Sequence, residues 1–305
     1  MAGLTIIIPT KDRGEIFLKT LYSAVAASSH VDAEIIVVNN SLTPLQLKDK
    51  PANVSVYHKT DKFSVFSARN YGASYASKEL LLFIDDDMVI AKDSIDCAIK
   101  FHEEHKHACL NVNWRYPPEL LDSMKKTLFG RYLIRAGFTT MESYYGEGWR
   151  SDAPFLSKSV ASFFFCLRKE DFERVGRYNE NDIYEGSDVD TSNKMSNNGI
   201  AMWINPLVTI YHNEADRIDL KNWLERKKRY GAICRNAIDT GDKSKGHILH
   251  YSKTKTLIFK VIYFFQPVIL LVLSVFNKLK LDKLGFVIIN ALLGANICVG
   301  FNSLK

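Results

Sequence analysis

Three consecutive aspartates, Asp85, Asp86 and Asp87, follow directly on the apolar run Leu80–Ile84. Adjacent carboxylates repel one another and cost stability unless a cation neutralises them. Hard oxygen ligands of this kind suit Mg2+ or Mn2+, ions that commonly bridge protein carboxylates to a diphosphate. A solvated acidic turn is the plain alternative, and the apolar run leading into the triplet argues against it. In open α/β sheets, ligands bind beyond the carboxyl ends of the strands. A second cluster is weaker. His102, His105 and His107 share the polar stretch 101–107, but no cysteine or carboxylate joins them in a ligand pattern, and a solvated helix end is expected there.

The elements around the triplet follow from hydrophobic period. Residues 5–8 are a continuous β-branched run, expected as a buried parallel strand, and residues 34–38 and 54–57 repeat the pattern. Between them Ile16, Leu18, Leu21, Tyr22 and Val25 form a helical stripe, which Asp12 is placed to cap. Residues 67–77 form a second helix and 80–84 a fourth strand. Strands alternating with helices at this spacing predict a doubly wound α/β sheet. Further on, 162–167 is a strand, 169–175 a short helix, 188–198 a helix, and 201–204 and 207–211 two strands. Residues 220–237 are expected as a basic helix and 241–246 as a polar linker, before apolar runs at 257–276 and 284–301.

Bulk composition narrows the class. With 47% hydrophobic and 24% charged residues among 305, the chain has enough apolar material for a sizeable core. The net charge of +6 is not spread evenly but collects after Arg217, and no RNP, zinc-finger or helix-turn-helix signature accompanies it, so nucleic acid is excluded as a partner. The five cysteines, Cys97, Cys109, Cys166, Cys234 and Cys298, show no C-x-x-C spacing and are expected as buried free thiols. The first apolar stretch, 4–8, stops at Pro9 and is too short for a signal peptide.

Six blocks now line up in order: Ile6-Ile7-Ile8-Pro9-Thr10-Lys11-Asp12-Arg13, Ile35-Ile36-Val37-Val38-Asn39-Asn40-Ser41, Ala68-Arg69-Asn70-Tyr71-Gly72, Phe83-Ile84-Asp85-Asp86-Asp87, Gly186-Ser187-Asp188-Val189-Asp190 and Val208-Thr209-Ile210-Tyr211-His212. In these blocks, over residues 4–213, the chain resembles glycosyltransferase family 2. The resemblance implies an α/β GT-A fold, Rossmann-like, with a mostly parallel sheet and helices on both faces. The expected division is a catalytic domain over 1–215, with a nucleotide-sugar-binding half at 1–110 and an acceptor-binding half at 111–215, followed by a helical region at 216–305. Asp85-Asp86-Asp87 matches the family's D-x-D, which would set Asp85 toward the donor ribose and give Asp87 the metal. Pro9, Thr10, Arg13, Arg69 and Asp86 would lie around the nucleotide, and His212 would complete the metal site or touch the diphosphate. Asp188 matches the second acid of the family's E-D pair and would be the general base; the bland reading makes it a helix cap, with Asp190 a partner of the helix dipole.

The residue types suit that chemistry. An acceptor hydroxyl is a poor nucleophile and needs a carboxylate to take its proton. The departing nucleoside diphosphate develops charge that a divalent ion and cationic side chains stabilise. The family resemblance implies inversion at the anomeric carbon. Two departures stand out. Asn39 replaces the usual aspartate at the end of the second strand, where its amide can still accept from a uracil N–H, which favours UDP and leaves dTDP or GDP as alternatives. Ser187 replaces the first acid of the E-D pair, leaving Asp188 as base with Glu185 next in line. A sugar nucleotidyltransferase is disfavoured by the lack of a glycine-rich loop after the first strand, and a non-catalytic scaffold by the intact aspartates.

Trp114, Tyr116, Tyr144, Tyr145 and Trp149 are expected as a sugar-stacking wall or as core, within an acceptor-determining segment 114–159. In the tail, Lys221, Arg226, Lys227, Lys228, Arg229 and Arg235 share a helix with Trp223, Leu224 and Tyr230, the composition of a membrane-surface element. Run 257–276 is about as long as a span but holds Lys260, Gln266 and Pro267. A crossing would also leave the basic loop 277–283 outside, against the positive-inside rule. In-plane or re-entrant helices on the cytoplasmic side of the inner membrane resolve this; a transmembrane hairpin and a homo-oligomer interface are the alternatives. A membrane-seated tail suggests a glycan or glycolipid acceptor.

Overall fold

The computed structural model describes residues 2–60, 64–180, 187–239, 241 and 251–303; Glu185, Gly186 and linker residues 242–246 lie outside the described residues. The elements are β1 (Leu4–Thr10), α1 (Gly14–Ser28), β2 (Ala33–Asn39), β3 (Val54–His58), α2 (Val65–Tyr75), β4 (Leu80–Ile84), β5 (Met88–Val89), α3 (Lys92–Glu104) and β6 (Ala108–Arg115). After them come α4 (Pro118–Met124), α5 (Leu128–Arg135), α6 (Met141–Tyr145), β7 (Phe155–Leu156), β8 (Phe164–Arg168), α7 (Lys169–Arg174), α8 (Ser187–Asn197) and β9 (Ala201–His212). The helices α9 (Leu220–Asp239), α10 (Lys253–Phe264), α11 (Gln266–Leu279) and α12 (Asp282–Phe301) close the chain.

Contacts divide the chain into two compact units, one formed by residues 2–115, 145–180 and 187–213, the other by 116–144 and 214–303. The first unit holds a nine-stranded mixed sheet in the order β3-β2-β1-β4-β8-β6-β9-β5, with β7 on β9. Strands β3, β2, β1 and β4 run parallel, as the βα alternation predicts, whereas β8 is antiparallel to both β4 and β6. Every residue of β1 and β4 is buried, which is why β4 is uniformly apolar and β1 carries the unbroken run Ile6–Ile8 rather than an alternating pattern. Helix α2 lies tight against the sheet because Gly72 has no side chain: a Cβ there would stand 2.6 Å from Ile7 Cγ2. Asp12 does not cap α1. It takes φ 54° and donates its N–H to Ser41 Oγ, and Arg13 occupies the cap position without a capping side-chain bond. The two strands expected over 201–211 are one, β9, whose register against β6 jumps after Val112. Pro206 lies within that jump and has no N–H to give the ladder.

The second unit is helical and built on α12. Gly231 of α9 and Gly300 of α12 let the two backbones touch, since a Cβ on either would fall inside the Ile297 or Lys228 carbonyl. Segment 116–144 groups here rather than with the sheet. Arg131 of α5 grips Asp282 at the start of α12 with two bonds of 2.8 Å, and Tyr132 donates to Asn290 at 2.6 Å. Run 257–276 is broken into α10 and α11, inclined by 69°. Among the described residues α12 alone is long and apolar enough to cross a membrane by length and composition, and 44% of its apolar window is buried within the fold.

The histidine stretch is not solvated throughout. His102 is 1% exposed, His105 stacks on Phe101 and His107 pairs with Asp171 at 3.1 Å. Burial drives His102 down to about 4, a shift that the Cys166 backbone only partly opposes. The folded state therefore holds His102 neutral, while the unfolded chain takes up a proton from about pH 6.5 downward. Stability is full above that pH and falls as pH drops toward 4, by about 3 kcal/mol in all. Urea denaturation of the wild type and H102L at pH 7.5 and 5 checks this: the wild type should lose stability more steeply than the variant.

Candidate active site

The site lies at the carboxyl edge of β1 and β4, within the first unit. The turn after β4 is fixed by its backbone: Met88 N–H donates to the Asp85 carbonyl at 3.1 Å, Thr20 Oγ1 donates to the Asp86 carbonyl at 3.0 Å, and Asn213 N–H donates to the Asp87 carbonyl at 2.7 Å. Strand β5 then pairs with the end of β9, setting Met88 opposite His212. This pairing brings together two residues 125 positions apart, with His212 Nε2 lying 3.3 Å from Asp87 Oδ1.

Two buried guanidiniums balance the aspartates. Arg13 donates from Nη2 to Asp87 Oδ2 at 2.6 Å, and its Nε lies 3.4 Å from Asp86 Oδ1. Thr10 Oγ1 donates to Asp86 Oδ2 at 2.8 Å. Arg69, reaching from α2, pairs with Asp85 Oδ1, and Asp85 alone of the three keeps an open side, with 36% of its side chain exposed. Arg13 and Arg69 thus already offset part of the repulsion expected within the triplet. Pro9 packs within β1, where its register partner is Val38.

Asn39 is 2% exposed, and both ends of its amide serve its own loop: Nδ2 donates to the Thr43 carbonyl at 2.9 Å and Oδ1 accepts from the Ser41 N–H at 3.1 Å. Asp188 falls in the first turn of α8, and Ser162 Oγ donates to its Oδ1 at 2.6 Å. Burial pushes the Asp188 carboxyl above its ordinary value. The Ser162 hydroxyl and the Arg69 guanidinium pull it back, while Asp85 adds to the rise. Asp190 pairs with Lys194 one turn on at 3.1 Å, a local helix contact.

Sequence reasoning missed the residues that hold these groups. Ser162 is 26 positions from Asp188 and carries no local signal. Asn70 stood inside a recognised block, but its task shows only in three dimensions: it donates to the Tyr178 carbonyl at 3.0 Å and accepts the Tyr178 N–H at 3.1 Å. The Tyr178 ring lies 5.4 Å from the Arg69 guanidinium.

The aromatic wall is only partly a wall. Trp114 is buried edge-on to His212, and Tyr116 is core, donating to Glu214 at 2.5 Å. Tyr145, Trp149 and Phe155 form an edge-to-face trio, and Tyr144 is 71% exposed.

The residues present fit a hard divalent cation. Asp87 Oδ1 and His212 Nε2 are close enough to share one ion, whereas Asp85, expected to join them, is paired with Arg69 and is not gathered with them.

With this geometry in place, comparison with known proteins is informative. The family model described as Glycosyl transferase family 2 matches residues 5–176, more than half of the chain. The uncharacterized protein y4gI of Sinorhizobium fredii is 21% identical over 237 residues, covering 74% of this chain and 26% of its own length. The O-antigen biosynthesis protein RfbC of Myxococcus xanthus is 24% identical over 243 residues, 70% of this chain and 17% of its own length. The chain therefore spans about a quarter or less of these curated relatives. GalNAc-T7, solved with UDP, GalNAc and Mn2+, aligns at a TM-score of 0.55 and 14% identity over 81% of this chain and 53% of its own. Mannosyltransferase PcManGT of Pyrobaculum calidifontis, solved with GDP-Man and Mn2+, aligns at 0.51 and 13% identity over 95% and 74%. Both likenesses bear on the fold, which is of the GT-A kind.

Arg13 supplies the test of the site's electrostatics. Its pairing with Asp87 is almost wholly buried, with side chains 4% and 2% exposed, and removing one partner of such a pair costs about 3 to 5 kcal/mol. R13M, which keeps the volume and removes the charge, is expected to lower unfolding free energy by about that amount in urea denaturation.

Proposed function

The chain belongs to glycosyl transferase family 2, and from that membership we propose a metal-dependent transferase. It moves a sugar from a nucleotide-sugar donor, with UDP favoured, to a hydroxyl of a glycan or glycolipid at the cytoplasmic face of a membrane. The observation that carries this reading is the division of the carboxylates. Asp86 and Asp87 are held by Arg13, with His212 on Asp87, while Asp188 is held on another element by Ser162, and Arg69 pairs with Asp85 and acts on Asp188 as well.

Asp87 and His212 would hold Mg2+ or Mn2+, with Asp85 of the same turn as a further candidate ligand; such an ion neutralises charge on the diphosphate. Arg13 and Arg69 add fixed positive charge to the same edge of the sheet, where the leaving group gains its electron pair. Asp188 takes the acceptor's proton as the acceptor oxygen forms its bond to the anomeric carbon. The bond from that carbon to the diphosphate oxygen breaks in the same displacement, and the electron pair departs on the nucleoside diphosphate. One base and no second carboxylate assigned as nucleophile favour inversion. The raised affinity of Asp188 for protons suits a general base better than an ordinary surface carboxylate does. With Asn39 engaged by its own loop, recognition of the base falls to its remaining lone pair and to the neighbouring backbone. The O-antigen relative and the apolar tail support a lipid-linked acceptor of the cell-surface glycan type.

Titration calorimetry with UDP and Mn2+ tests the donor side: D87A should lose the metal-dependent component of binding, and unchanged binding would remove Asp87 from the site. D188N should keep donor affinity and lose turnover by about 10²-fold or more. The pH profile separates base from bystander. The Ser162 hydrogen bond favours the ionised carboxylate, so S162A should raise the Asp188 pKa and move the acid limb of kcat/KM to higher pH.

A further inference from the structure

Helices α10 and α11 form an elbow of 69°, and its two ends differ from its corner. The corner presents Phe264 and Phe265, 76% and 50% exposed. The arms add Leu257, Val261, Leu271 and Val275, all exposed. The ends are basic. Lys253 and Lys255 open the first arm, Lys278 and Lys280 close the second, all four are exposed, and residues 253–280 contain no aspartate or glutamate. Lys260 is the one charge within an arm, and its long stem lets the ammonium reach outward.

The bend has an identified cause and anchor. Pro267 lies in the first turn of α11, so the ladder loses one donor there and the helix restarts in a new direction. Gln266, at the corner, accepts from Asn296 Nδ2 on α12 at 2.7 Å, and Tyr263 accepts from Lys228 of α9 at 2.9 Å. The elbow is therefore braced from one side, with Phe264 and Phe265 left outward.

We propose that the α10–α11 elbow inserts its Phe264–Phe265 corner into a single leaflet of an anionic membrane, with both lysine-bearing ends at the headgroups of the same face. The dimensions fit. Arms of 12 and 14 residues are about 18 and 21 Å long, and a 69° bend sets the corner about 11 Å from the line joining the ends. The apolar half of a bilayer is about 15 Å deep. The corner thus reaches acyl chains without reaching the opposite leaflet. Were the two helices collinear, the same residues would be about 39 Å long and could cross. The partner is anionic because the headgroup ends carry only positive charge, each lysine near the surface contributing to attraction. Helix α12 contributes little to spanning in this arrangement, because α9 covers it through Gly231 and Gly300.

This inference rests on the membrane part of the proposed function and is independent of the transfer chemistry. Flotation of the purified full chain with sealed vesicles of phosphatidylcholine and phosphatidylglycerol tests it. The wild type should float, and F264D/F265D should bind at least 100-fold more weakly while keeping its affinity for UDP with Mn2+. K253Q/K255Q/K278Q/K280Q should lose the preference for phosphatidylglycerol. A membrane-impermeant amine reagent added outside should label Lys253, Lys255, Lys278 and Lys280 alike. Equal flotation of F264D/F265D would overturn the elbow and leave another surface to bind the membrane. Protection of Lys278 and Lys280 would mean that the segment crosses, which also overturns it. A wild type that never floats, and forms a dimer that F264D/F265D splits, would assign the corner to a second copy of the chain. A wild type that neither floats nor dimerises would remove both the elbow and the membrane reading, with donor binding still deciding the transferase.

Discussion

The carboxyl edge of the sheet depends on neutralising three adjacent aspartates in a buried turn. Arg13 supplies charge to Asp86 and Asp87, and Arg69 to Asp85. Both guanidiniums are nearly without solvent, so each is an intramolecular counter-ion rather than a surface partner. Three carboxylates against two guanidiniums leave a residual negative charge, which His212 offsets only when protonated. A site balanced in this way can fold before any ion arrives and still favour one that does. The turn is held in shape by bonds to its carbonyls from the Thr20 hydroxyl and the Asn213 N–H, which do not depend on charge.

Helix α2 extends this constraint from one set of carboxylates to the other. Arg69 pairs with Asp85, lies against the Tyr178 ring and lowers the proton affinity of Asp188. Its neighbour Asn70 clamps the Tyr178 backbone from both sides. Two adjacent residues of one helix thus tie the turn after β4 to the chain at Tyr178. Gly72 makes that reach possible by letting α2 settle onto β1 and β2. Displacing α2 would disturb the pairing of Asp85 and the proton affinity of Asp188 together, which makes the two sets of carboxylates one electrostatic system.

Much of this was legible in the chain. Buried strands read as uninterrupted apolar runs, and the turn after β4 reads as a charge cluster that such a strand must aim. The blocks containing Arg13, Arg69, Asp188 and His212 were placed by resemblance, and all four stand in the first unit. What could not be read was partnership across sequence distance. Ser162 looks like the start of an apolar strand until its hydroxyl is found on Asp188. Asn39 looks available for a base until its amide is found closing its own loop. His102 looks polar because its neighbours are, although the helix turns its ring inward. Residues 116–144 look like part of the sheet domain because they follow β6, yet Arg131 and Tyr132 bind α12.

The tail shows why hydropathy sums mislead where direction matters. Residues 257–276 have the length and composition of a span, and the sum is indifferent to Pro267 because one proline barely changes it. Geometry is not indifferent. Removing one donor from the ladder separates α10 from α11, and the 69° between them turns a possible crossing into two arms with like-charged ends. The same end charges would be costly for a span, since one set would have to pass the apolar layer, but they cost nothing when both ends stay at one face. Local backbone chemistry and the lysine distribution therefore both favour the proposed entry into one leaflet over a crossing, and that agreement carries more weight than the length of the apolar run.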